Sequence, residues 1–117
     1  MTKRNKYDVI IIGAGPAGIF AALELTGEQL KKPPRVLLVE KGRDLDQRKK
    51  CDILCGWGGA GAYSDGKLNL SPAVGGQLEK FVPLGTLAEL IAAVDRTYVQ
   101  YGEDTAVYGD DPDAVAR

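Results

Sequence analysis

Tyr7-Asp8-Val9-Ile10-Ile11-Ile12-Gly13-Ala14-Gly15-Pro16-Ala17-Gly18 decides the fold of this chain. Val9 to Ile12 are four β-branched aliphatics with no polar alternation, the pattern of a parallel strand buried on both faces. Three glycines come next at G-x-G-x-x-G spacing, and a helical pattern begins at once. Gly13 lets the chain turn sharply off the strand. Gly15, lacking a Cβ, lets a diphosphate approach the backbone, and Gly18 lets the new helix pack against the strand it has just left. Pro16 stands in the first helical turn, where its missing N–H is harmless. The stretch predicts a helix N-terminus whose free N–H groups and positive dipole end point at a diphosphate.

The same spacing also fits a tight strand-to-helix turn with no ligand, because glycine makes up 15 of the 117 residues. The residues downstream favour nucleotide binding. Arg35-Val36-Leu37-Leu38-Val39-Glu40 reads as a second buried strand ending in a carboxylate. Glu40 lies 22 positions after Gly18, near the roughly 20-residue offset of an acid that hydrogen-bonds a ribose. Between the strands, Pro16 to Leu25 or Leu30 reads as helix. Ile19, Leu23 and Leu30 share one face, Ala17, Ala21 and Ala22 allow close approach to a sheet, and Glu24, Glu28, Lys31 and Lys32 face water. Pro33-Pro34 ends the helix. A parallel, right-handed strand–helix–strand unit is expected, and with it an α/β, Rossmann-like nucleotide-binding fold.

A chain of 117 residues with 44% hydrophobic and 26% charged residues has room for one domain at most and a modest core. Its net charge of −1 gives no electrostatic reason to expect a nucleic-acid or membrane partner. Lys3-Arg4-Lys6 before an apolar run resembles a signal peptide, but Asp8, three glycines and Pro16 interrupt that run. The run is also too short for a membrane span, so a cytoplasmic location is expected. Cys51 and Cys55 are separated by three residues and the chain has no histidine. Neither a C-x-x-C redox pair nor a four-ligand zinc site is supported, and no metal is expected.

From Lys41 to Lys50 the chain is polar and reads as surface loop with room for a turn of helix. Arg48 is within reach of a phosphate in principle, though a solvated charge is the simpler reading. Gly56-Trp57-Gly58-Gly59-Ala60-Gly61-Ala62-Tyr63-Ser64-Asp65-Gly66-Lys67-Leu68 then interleaves five glycines with Trp57, Tyr63, Ser64 and Asp65. Such a loop folds against a flat or charged ligand without side-chain interference, and its amides can line an anion-binding concavity. Further on, Leu68-Asn69-Leu70-Ser71 fits a short strand and Val74-Gly75-Gly76-Gln77 a turn. Thr86-Leu87-Ala88-Glu89 has capping-box spacing. It opens an amphipathic helix to about Tyr101, with Leu87, Leu90, Ile91, Val94 and Tyr98 on the apolar face and Gly102 as the stop. Asp111-Pro112 starts another helix. That late helix start, with only two firm strands, leads us to expect that residues 1–117 are the N-terminal portion of a longer protein. The rest of the domain and a substrate domain would lie elsewhere.

Asp8 to Gly18 with Glu40-Lys41-Gly42 resembles the FAD-binding start of flavoproteins with two dinucleotide-binding domains. Gly56 to Leu68 is similar to the G-x-G-G-A-G-x-x-S-D-G-K-L signature of the bacterial and archaeal uncharacterised FAD-dependent dehydrogenases. Pro72 to Leu78 and Val94-Asp95-Arg96 continue the likeness over nearly the whole chain. The resemblance implies that Gly13, Ala14, Gly15, Pro16, Ala17 and Gly18 hold the FAD pyrophosphate. It also implies that Glu40 binds the ribose hydroxyls and Lys41 lies along the adenine. Gly58, Gly59, Ala60 and Gly61 would pass close to the pyrophosphate or the flavin, with Ser64 and Asp65 as polar contacts near it.

The function expected is an FAD-dependent oxidoreductase or dehydrogenase acting on a small-molecule substrate, with NAD(P)H as a candidate electron partner. No catalytic residue is assigned within this segment. Two alternatives stand beside it: a non-catalytic module that binds an ADP moiety, and an enzyme of the same fold using NAD or an ADP-linked product, as thiazole synthases do. Glu40 disfavours NADP, whose 2′-phosphate would meet a carboxylate, although Lys41 and Arg43 soften that objection.

Overall fold

The computed structural model describes residues 6–64 and 67–102. The chain forms two compact units, Met1–Lys67 and Leu68–Arg117. In the first, strand β1 (Val9–Ile12) runs into helix α1 (Pro16–Thr26) and then strand β2 (Val36–Val39), followed by short 3₁₀ turns at Leu45–Gln47 and Gly61–Tyr63. The two strands are parallel, pairing Val9 with Val36 through Ile12 with Val39. This is the expected start of a Rossmann-like fold.

Asp8 fixes the register from below. Its carboxylate accepts the Arg35 amide at 2.8 Å and the Arg35 Nε at 3.2 Å. The amides of Asp8 and Val9 in turn donate to the Arg35 carbonyl. At the other end, Gly13 N donates to Val39 O at 2.7 Å, which carries the pairing one residue past β1.

Burial corrects the expectation of a strand covered on both faces. Val9 and Ile11 are half-buried, whereas Ile10 is 60% and Ile12 87% exposed. Helix α1 covers one face only: a Cβ on Gly18 would come within 3.4 Å of the Ile11 side chain. Small residues act differently from the pattern expected along α1, because Ala17 and Ala21 are exposed while Gly18, Ile19, Ala22 and Leu23 are partly buried. The helix ends at Thr26, leaving Leu30 outside it. Gly27 is extended (φ −61°, ψ 149°), as suits a residue of poor helix propensity.

In the second unit, no strand forms at Leu68 to Ser71. The Asn69 side chain accepts from Ser71 N at 2.9 Å and the Ser71 hydroxyl from Ala73 N at 3.3 Å. These local side-chain bonds compete with a ladder. A bend at residues 74–76 and a 3₁₀ turn at Leu78–Lys80 lead to helix α2 (Leu84–Gln100).

The capping-box start at Thr86 is also corrected. Pro83 (φ −56°, ψ 144°) is the N-cap and no side chain caps the helix; Leu87 N donates to Pro83 O at 3.0 Å. Within the apolar face, Leu87 is buried and Ile91 and Tyr98 are half-buried, but Leu90 and Val94 are exposed. Gly102 comes after the helix, its amide donating to Val99 O. The helix expected from Asp111 lies outside the described residues. Among those residues, no helix is long and apolar enough to cross a membrane.

Candidate functional site

The site forms where two glycine loops of the first unit meet. In the first loop, Gly13 has φ +103°, a conformation L side chains rarely adopt, and this turns the chain off β1. Gly18 is needed for approach, because a Cβ there would collide with the Gly13 carbonyl oxygen. A Cβ on Gly15 would meet nothing within 4 Å, so that backbone is open to approach from outside. The first hydrogen bond of α1 runs from Ile19 N to Gly15 O at 3.0 Å. The amides of Ala17 and Gly18 ahead of it therefore have no acceptor inside the helix. Ala14, in the turn between β1 and α1, is fully buried.

Glu40 stands one residue past β2 and joins three segments. Its Oε2 accepts the Ala14 amide at 2.8 Å. Oε1 accepts the amides of Gly42 at 2.8 Å and Gly56 at 3.1 Å. The Ala14 amide, with help from Gly42, holds the Glu40 carboxyl below the usual carboxylate range against the opposing effect of its partial burial. The acid singled out for a ribose is thus also the internal link between the first loop, the exit of β2 and the second loop. Spacing carries no sign of that second role.

The second loop lies directly on the first. Gly58 N donates to Ala14 O at 2.8 Å, and a Cβ on Gly59 would stand 3.2 Å from the Gly15 Cα and 3.3 Å from the Pro16 Cδ.

Arg48 corrects the reading of a solvated charge. Its Nη1 donates to the carbonyls of Gly59 at 2.6 Å and Trp57 at 3.1 Å. Its Nη2 donates to those of Asp52 at 2.7 Å and Ile53 at 3.0 Å. The Tyr63 ring covers the guanidinium at 5.2 Å. Asp52 shapes the preceding turn, accepting Lys49 N at 3.0 Å and Arg43 Nη1 at 2.8 Å.

Of the residues expected at the site, the structure brings Gly13 to Gly18, Glu40, Gly58 and Gly59 together. Lys41, Ala60 and Gly61 are exposed, and the exposed Ser64 donates its hydroxyl to Gly61 O at 2.7 Å. Asp65 lies outside the described residues. Cys51 and Cys55 are free thiols, and among the described residues no group of three metal-ligating side chains forms.

Residues 8–104 match the FAD binding domain family. The chain belongs to that family. FAD is therefore its cofactor. The chain is also 37% identical over 81 residues (57% of this chain) to an uncharacterized protein of Clostridium beijerinckii. It is 36% identical over 99 residues (85% of this chain) to a protein of Claviceps purpurea named as a monooxygenase. It spans only 14% and 16% of the lengths of these two relatives. No solved structure matches.

The residues of this FAD binding domain fit a dinucleotide. A backbone free of side chain at Gly15, amides at Ala17 and Gly18 without a helical acceptor, and a carboxylate at the edge of the same loop supply the three kinds of group that an ADP moiety needs.

Proposed function

We propose that the chain is the N-terminal portion of the FAD-binding domain of an oxidoreductase, and that it supplies the ADP-binding half of the cofactor site. The observation that carries this reading is the open backbone at Gly15, flanked by the amides of Ala17 and Gly18 and by Glu40. The small share of each relative's length that the chain matches supports a longer whole. Ala17 and Gly18 would donate to the pyrophosphate, Gly13 and Gly15 would keep side chains out of its way, and Glu40 would accept from the ribose hydroxyls. Lys41 would border the adenine, while Gly58 to Gly61, Ser64 and Asp65 would face the diphosphate and the flavin end. Bound FAD would supply the hydride or electron transfer, with the protein responsible for placement and water exclusion.

A dehydrogenase working on a small organic molecule in the cytosol, with NAD(P)H as an electron partner, is the reading carried over from the sequence signature. The name of the Claviceps relative favours a second one, a monooxygenase. The deciding experiment is the visible absorption spectrum of the purified intact gene product, followed by anaerobic addition of candidate substrates. Flavin bands that bleach on substrate alone support the dehydrogenase. Bands that bleach only with NAD(P)H, with substrate turnover requiring oxygen, support the monooxygenase. A colourless protein that also fails to take up added FAD overturns the assignment.

A further inference from the structure

Arg48 spends all four of its hydrogen bonds on neutral backbone carbonyls, and among the described residues it makes no ion pair. Its Nε is buried with no hydrogen-bond partner there. Such a charge is costly to hold in a half-buried place unless something nearby offsets it. Two of those bonds hold the turn at Asp52 and Ile53, and two hold the second glycine loop that follows it. Glu40 takes that loop's entrance by the Gly56 amide, and Arg48 takes its middle by the carbonyls of Trp57 and Gly59. The carbonyl it grips most closely, that of Gly59, belongs to the residue lying against Gly15 and Pro16. A permanent positive charge therefore stands behind the place where the second loop touches the first.

We propose that Arg48 is a positioning residue for the cofactor diphosphate, holding Gly58 and Gly59 over the first glycine loop and offsetting the negative charge that binds there. The proposal rests on the FAD-site reading. It requires Arg48 to matter for a ligand with a second phosphate far more than for one with a single phosphate. A purely structural role would affect both alike.

The test is calorimetric titration of the intact protein, freed of flavin, with FAD, ADP and AMP, on the wild type and on Arg48→Gln. ADP and FAD should each bind about tenfold more weakly to the variant, with AMP unchanged. Gly59→Ala gives a second approach that leaves Arg48 in place: the added methyl crowds Gly15 and Pro16 at φ +64°, and the same selective loss is expected. If Arg48→Gln does not fold, as judged by circular dichroism, Gly59→Ala decides. Unchanged ADP binding, or equal loss of ADP and AMP, overturns the role of Arg48. A wild type that binds neither ADP nor FAD overturns the FAD-site reading itself, and the proposal with it.

Discussion

Gly15 and Gly18 differ in what a side chain would do to them, in line with the separate roles the motif gives them. A valine at Gly15 meets no protein atom near its Cβ, so the Gly15→Val protein should fold normally and lose FAD by steric exclusion. Affinity at least about tenfold lower, with an unchanged melting temperature, is expected from flavin titration and thermal denaturation. Gly18→Ala should do the opposite. Its methyl would strike the Gly13 carbonyl, and overpacking of this kind costs about 1–3 kcal/mol, read as a lower denaturation midpoint.

Glu40 adds a pH dependence. Its carboxyl is held below its ordinary range by backbone amides, so the unfolded chain takes up its proton first as the solution is acidified. The stability this group contributes is complete above its unfolded pKa and disappears as pH falls through the lower folded value. Glu40→Gln should therefore flatten the acid limb of a stability-against-pH curve measured by denaturant unfolding. The variant should also be less stable at neutral pH, where an amide accepts fewer of the three N–H groups.

The role of Arg48 is illegible in the sequence for a physical reason. It stands in Asp46-Gln47-Arg48-Lys49-Lys50, a run whose other members face water. Only the folded paths of the turn at Asp52 and Ile53 and of the glycine loop gather four carbonyls around it.

At the scale of elements, β1, α1 and β2 are readable because each carries a strong local signal: a β-branched run, a glycine motif with Pro16, a second aliphatic run. The parallel pairing comes from their order. Burial on both faces does not, because a strand's outer face is decided by what else packs there.

The start of α2 escapes a reading by spacing, because Thr86 to Glu89 satisfies the capping-box pattern while Pro83, three residues earlier, already sets an extended residue before the helix. The consequence is measurable. Thr86→Ala should change stability by no more than about 0.5 kcal/mol, whereas loss of a real N-cap costs about 1 kcal/mol. The missing strand at Leu68 to Ser71 has a similar cause, since Asn69 and Ser71 offer the backbone closer partners than a neighbouring strand.

At the scale of the molecule, Ile10 and Ile12 leave an apolar face of the sheet open, and apolar faces of this kind drive association. Residues 1–117 prepared alone should self-associate as concentration rises, and Ile12→Lys should suppress this in sedimentation experiments. The two glycine loops and Glu40 are legible as candidates because they sit close together in sequence. That proximity has a further outcome during synthesis. Every residue joining the two glycine loops, from Gly13 to Gly61, lies within the first compact unit, and domains fold from the N-terminus as they emerge. A ribosome that has released this unit has already released both glycine loops and Glu40, so the half of the site proposed for the ADP moiety can assemble while later residues are still being made.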